Sequence, residues 1–161
     1  MLRELFTFPE RVNENAARFV AGFVVAIGVV VVAVGPPVFF LIPLLSVGFL
    51  LRVLAGPKLS PLALFVTKIL LPALRIQTKL VAGAPKRFAQ GIGFVVTAAA
   101  SVLAFVVGNV VAVYAFVGVL LIAASLEAFI GFCLGCWMYG WLVRWGLIKE
   151  PTCESCIDFE I

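Results

Sequence analysis

Uncharged apolar runs alternate with short basic clusters along this chain. A helix needs about 20 mostly apolar residues to cross a hydrocarbon core. Four stretches read as such spans: 16–35, 38–54, 91–107 and 110–130. "GPP" at 35–37 divides the first two, because proline cannot continue a helix and restricts the residue before it. "GN" at 108–109 makes the turn between the last two. The final run stays apolar to Trp145, 36 residues from Val110. As one helix it would be roughly 54 Å long against a ~30 Å core. It is expected to break, with Gly131 and Gly135 as the breakpoints.

The connector over 58–83 has a different pattern. Lys68, Arg75 and Lys79 are spaced 7 and 4 apart amid Leu, Val, Ile and Ala. On a helix those positions fall within about 40° of one another. Pro61 and Pro72 limit it to short helical pieces. The pattern predicts an amphipathic segment lying in the headgroup plane, anchored by those cations, because cations at a bilayer centre are costly. A second interfacial helix is expected over 133–146. There Trp137, Trp141 and Trp145 form a stripe of the kind that anchors helices at membrane surfaces. The expected fold is an all-α polytopic membrane protein with four transmembrane helices in a single domain. A short segment, 1–15, precedes it, and a tail, 148–161, follows.

Composition agrees. The chain is 64% hydrophobic and 12% charged, whereas a soluble domain is about half apolar and about a quarter charged. The N-terminal stretch does not read as a signal peptide. It carries Glu4, Glu10 and Glu14, and no small-residue cleavage site closes the apolar run after it.

The charges set an orientation. All twelve Lys and Arg fall in the N-terminal segment, the long connector with its flanking helix ends, or the C-terminal part. The two opposite turns hold none. The positive-inside rule then places both termini on the cytoplasmic side, with two short external turns. Lipid headgroups, rather than nucleic acid, account for the net charge of +4.

The chain contains no histidine, which removes Ser-His-Asp, Cys-His and His-based zinc catalysis. What remains is sulfur. Four cysteines occur as two Cys-x-x-Cys pairs, Cys133 with Cys136 and Cys153 with Cys156. The first pair is expected at the cytoplasmic membrane face, beside the Trp stripe. Three readings stay open. A Cys-x-x-Cys pair at a helix start favours a reactive thiolate and disulfide exchange. The spacing of the two pairs also allows a four-thiolate site for zinc or an iron–sulfur group. The tail can fold back far enough to complete it. Or the cysteines are small apolar packing residues.

Glu127 is the only acidic residue inside an expected span. A carboxylate at that depth needs a partner or a proton. Arg87 is a candidate cation for it, with Gln90, Thr67 and Thr97 as candidate polar partners. Backbone donors in the broken region and a proton-donor role toward a thiolate are further options.

"APKRFAQGIG" (84–93) followed by "LEAFIGFCLGCWMYG" (126–140), with "FPERVNENAARFV" (8–20) ahead of them, resembles the bacterial membrane family catalogued as domain of unknown function 4395. The resemblance covers nearly the whole chain, and "FCLGC" is its most specific block. It implies a small inner-membrane protein of about four spans that keeps company with thioredoxin-like or sulfurtransferase proteins. It also implies motif positions at Arg87, Phe88, Gln90, Glu127, Cys133 and Cys136. The "CESC" tail lies outside that motif. The leading expectation is therefore a membrane thiol or sulfur redox partner using Cys133 and Cys136, with Glu127 nearby. A non-catalytic subunit packed against other membrane proteins is the alternative.

Overall fold

The computed structural model describes residues 11–147. Six helices, a short 3-10 turn at Gly56–Lys58 and one small ladder make up this region. Strand β1 (Arg11–Asn13) leads into α1 (Glu14–Val34). Helices α2 (Pro36–Ala55) and α3 (Pro61–Ala73) follow. Strand β2 (Leu80–Ala82) then leads into α4 (Gly83–Val107), α5 (Val110–Ile130) and α6 (Leu134–Arg144). Four of these helices, α1, α2, α4 and α5, are long and apolar enough to cross a membrane. The protein is all-α apart from the short antiparallel ladder, in which Val12 faces Val81.

The termini of the helices follow from local chemistry. Asn13 caps α1 by accepting the Asn15 N–H, and Asn109 caps α5 by accepting the Ala112 N–H. Both satisfy a backbone donor that the helix leaves orphaned. Gly35 ends α1 at φ 81°, and Pro36 starts the next turn. Gly108 ends α4 at φ 71°.

In the bundle α2 packs chiefly on α4, and α1 on α5. Apolar side chains fill it in layers. Val31, Ile42, Ala100 and Val113 sit towards the turns at Gly35 and Gly108. Val24, Leu45, Phe49 and Leu120 occupy the middle. Ala16, Val20, Ala63 and Val66 join α1 to α3 at the other end. Outside the bundle, Val95, Val106, Val111, Val119 and Ile122 are exposed. Outward apolar side chains on long helices suit contact with lipid tails.

Two expectations are revised. Helix α4 begins at Gly83, eight residues before the apolar run at Gly91, so the motif "APKRFAQ" forms its first turns. The connector does not place Lys68, Arg75 and Lys79 on one helix face. Helix α3 stops at Ala73, Arg75 takes φ 53°, and the chain is irregular up to β2. Only Lys68 is helical, although all three side chains are exposed. Pro72 and the left-handed Arg75 end the helix before the periodicity can be used. Within α3, Val66–Leu70 forms a π turn.

The ladder was not anticipated from the sequence. It ties the entry of α1 to the entry of α4, and Glu14 N donates to Lys79 O at 2.7 Å beside it. The Lys79 ammonium then pairs with the Glu14 carboxylate at 2.8 Å.

Candidate functional site: a thiol pair beside a buried ion pair

The end of the bundle that carries the basic residues also carries the polar chemistry. The break in the last apolar run is the starting point. The end of α5 widens into a π turn, Leu126–Ile130, and Gly131 closes it at φ 81°. A left-handed residue is a common helix terminator, and glycine takes that conformation without a Cβ penalty. Gly131 is therefore the break, whereas Gly135 lies inside α6. Arg18 of α1 holds the broken end, its Nη2 donating to Phe129 O at 3.0 Å and its Nε to Ala128 O at 3.4 Å. These carbonyls have no helical partner, and the guanidinium supplies one.

Gly135 has a different task. A Cβ built on it would lie 2.6 Å from both Cα and Cβ of Ala89. Helix α6 thus presses directly on the backbone of α4. The Phe88 and Tyr139 rings, 5.7 Å apart, continue that contact. The glycine inside "CLGC" is what allows the start of α6 to approach α4 this closely.

Cys133 is the N-cap of α6, its Sγ accepting the Cys136 N–H at 3.3 Å. The Cys136 thiol donates to the same sulfur, with the two Sγ atoms 2.6 Å apart. Cys136 is buried and Cys133 half-buried. The hydrogen bond from Cys136 is the main influence pulling the Cys133 thiol below its ordinary pKa. Burial and the Glu127 charge oppose it, and the Lys86 charge and the backbone N–H support it. Cys136 moves the opposite way, above its ordinary value, because its own thiol proton is engaged by Cys133 and because it is buried. The pair is asymmetric: one sulfur is prepared to be a thiolate, the other holds its proton.

Lys86 and Glu127 are the charges acting on the sulfurs. They form an ion pair, Lys86 Nζ to Glu127 Oε1 at 2.6 Å, with side chains 8% and 15% exposed. Here the expectation of Arg87 as the partner of Glu127 is corrected. Arg87 is exposed, and its Nε donates to Val53 O at 2.9 Å. Lys86 points inward because neighbours on a helix are 100° apart. Thr67 and Thr97 bond back to Ala63 O and Gly93 O of their own helices. Gln90 accepts from Arg52 instead, at 3.2 Å. Sequence reasoning missed Lys86 and Arg52 as buried residues. In the sequence Lys86 reads as an orientation-setting cation, and Arg52 as one that can also snorkel from the end of the second span.

The family model described as domain of unknown function DUF4395 matches residues 12–144. The chain belongs to this family. No curated protein and no solved structure matches it. The match takes in every residue of the site described above, from Arg18 to Cys136, while Cys153 and Cys156 lie beyond it. They also lie outside the described residues, so the four-cysteine metal arrangement is not addressed by this geometry. Among the described residues, no three His, Cys, Asp or Glu cluster as a metal site would need.

In this family member the Trp stripe lines the outer face of α6. The Trp137–Trp141 and Trp141–Trp145 rings meet edge to face at 5.7 and 5.9 Å. All three are exposed. The thiols thus belong to the first turn of this aromatic helix.

Proposed function

We propose that this DUF4395 protein is a membrane thiol redox partner whose reacting pair is Cys133 and Cys136, at the cytoplasmic face of a bacterial inner membrane. The observation that carries the reading is the asymmetry of the pair. Cys133 caps a helix and receives both the N–H and the S–H of Cys136, while Cys136 is buried behind it. The cytoplasmic placement rests on the gathering of the basic residues at this end, with uncharged turns at the other.

The chemistry is dithiol–disulfide exchange with a protein disulfide of thioredoxin-like type. The Cys133 thiolate attacks one partner sulfur, forming a mixed disulfide and releasing the other partner sulfur as a thiolate. Cys136 then loses its proton and attacks Cys133 Sγ. This forms the Cys133–Cys136 disulfide and frees the second partner sulfur. Two electrons pass to the partner, and its two thiolates take up protons. Lys86 favours both thiolate stages by its charge, and Glu127, whose charge acts on both sulfurs, is the carboxylate we assign to take the Cys136 proton.

The test is the thiol state in native membranes, trapped by alkylation at lysis and read by intact mass. A Cys133–Cys136 disulfide that rises with oxidant and falls with reductant is the expected result. Free alkylation of all four cysteines under every condition would sink the proposal and favour the non-catalytic subunit. Protection lost only on chelation would favour a shared metal site with Cys153 and Cys156.

A further inference from the structure

A second polar feature lies at the same end of the bundle. A cleft of about 40 Å³ opens between α1, α2, α3 and α4. That is room for about three waters, or for one small oxyanion. Ala16, Val20, Gly56 and Ala63 give it apolar walls, and its polar lining is Arg52, Lys86 and Gln90. No carboxylate lines it among the described residues.

Arg52 is 6% exposed and Lys86 7%. Two cations this deeply buried require compensation. Lys86 has Glu127. Arg52 has only neutral acceptors, Gly48 O at 3.1 Å from its Nε and Gln90 Oε1 at 3.2 Å from its Nη1, with the Phe49 ring 4.7 Å from Cζ. Its Nη2 has no hydrogen-bond partner among the described residues. The Gln90 oxygen is committed to Arg52, which leaves the amide N–H groups as donors. The described residues contain two carboxylates, Glu14 and Glu127, and Lys79 and Lys86 pair with them. Glu127 pairs with Lys86 and its charge also reaches Arg52, so one carboxylate serves two buried cations beside a cleft whose polar side chains are Arg52, Lys86 and Gln90.

We infer that Arg52, Lys86 and Gln90 form a binding site for a single oxyanion group of phosphate or sulfate size. The guanidinium supplies a fork suited to two oxygens of such a group, and Lys86 adds a point charge. The group arrives either as a free anion from the aqueous side or as the headgroup of an anionic phospholipid. The site stands whether or not the thiols react.

The test uses the full chain in detergent, with equilibrium dialysis of radiolabelled sulfate and native mass spectrometry for retained phospholipid. Arg144, an exposed cation on α6, provides the control for non-specific attraction. Saturable sulfate binding that weakens at least about tenfold in Arg52→Gln and is unchanged in Arg144→Gln supports a free-anion site. One anionic phospholipid that stays bound to the native chain and to Arg144→Gln, but is lost from Arg52→Gln, supports the headgroup source. Absence of both sulfate and phospholipid binding overturns the site, and so does equal weakening by both variants. Should Arg52→Gln not fold, Arg52→Lys keeps the charge without the fork, and Gln90→Leu removes the amide. Binding unchanged in both also overturns the site.

Discussion

Lys86 Nζ lies 2.6 Å from Glu127 Oε1, joining the first turns of α4 to the last turn of α5 across 41 positions of sequence. Each member of the pair acts by its charge on both sulfurs. Breaking a buried pair leaves the other charge uncompensated. Glu127→Gln or Lys86→Met alone is expected to cost about 3 kcal/mol. The double variant is expected to recover most of that loss. Thermal unfolding of all three in the same detergent checks the cycle, and additive losses would show that the two groups are not coupled.

Reactivity of the thiol pair with pH follows from its asymmetry. A lowered pKa means that Cys133 is a thiolate at pH values where an ordinary cysteine, near 8.5, is still protonated. Its alkylation rate is expected to rise at lower pH than that of a free thiol, with Cys136 unreactive over the same range. Cys136→Ala removes the principal hydrogen bond, so the inflection is expected to move up. Cys136→Ser keeps an O–H donor and is expected to move it less. Rates of iodoacetamide labelling by mass spectrometry provide the measurement. Identical profiles in all three proteins would remove the role assigned to Cys136.

Gly135 and Gly140 offer a matched pair within one helix. A methyl at Gly135 meets the Ala89 backbone at 2.6 Å, and backbone cannot swing aside. Gly135→Ala is expected to cost about 1–3 kcal/mol and to separate α6 from α4. A methyl at Gly140 meets nothing within 4 Å. Gly140→Ala is expected to stabilise by up to about 1 kcal/mol, because it raises helix propensity. Melting temperatures of the two variants should move in opposite directions.

Ser60 Oγ is fully buried and has no hydrogen-bond partner among the described residues. The residue is 1% exposed at the start of α3. An unpaired buried hydroxyl costs about 1–3 kcal/mol. Ser60→Ala is expected to leave stability unchanged or raise it, and a clear fall in melting temperature would show that the hydroxyl has a partner.

Much of the architecture was legible in the sequence. Hydropathy is a local sum, and a membrane span is a local requirement on about 20 consecutive residues, so four such helices follow from the runs alone. The break at Gly131 and the adjacency of Cys133 to a helix start were equally local. The tertiary structure decided what depends on which way each helix turns. Lys86 and Arg87 are neighbours of the same charge, yet one is buried against Glu127 and the other lies at the surface. One residue is a 100° rotation of α4, and that rotation is set by contacts such as Gly135 on Ala89 and Gly93 on Phe49. The same packing brings Gln90 to Arg52 and β1 to β2. Sequence by itself determined how many times the chain can cross and which end carries the charge. Only the packed bundle decided which charge meets which, because pairing depends on helix rotation and close approach between segments distant in the chain.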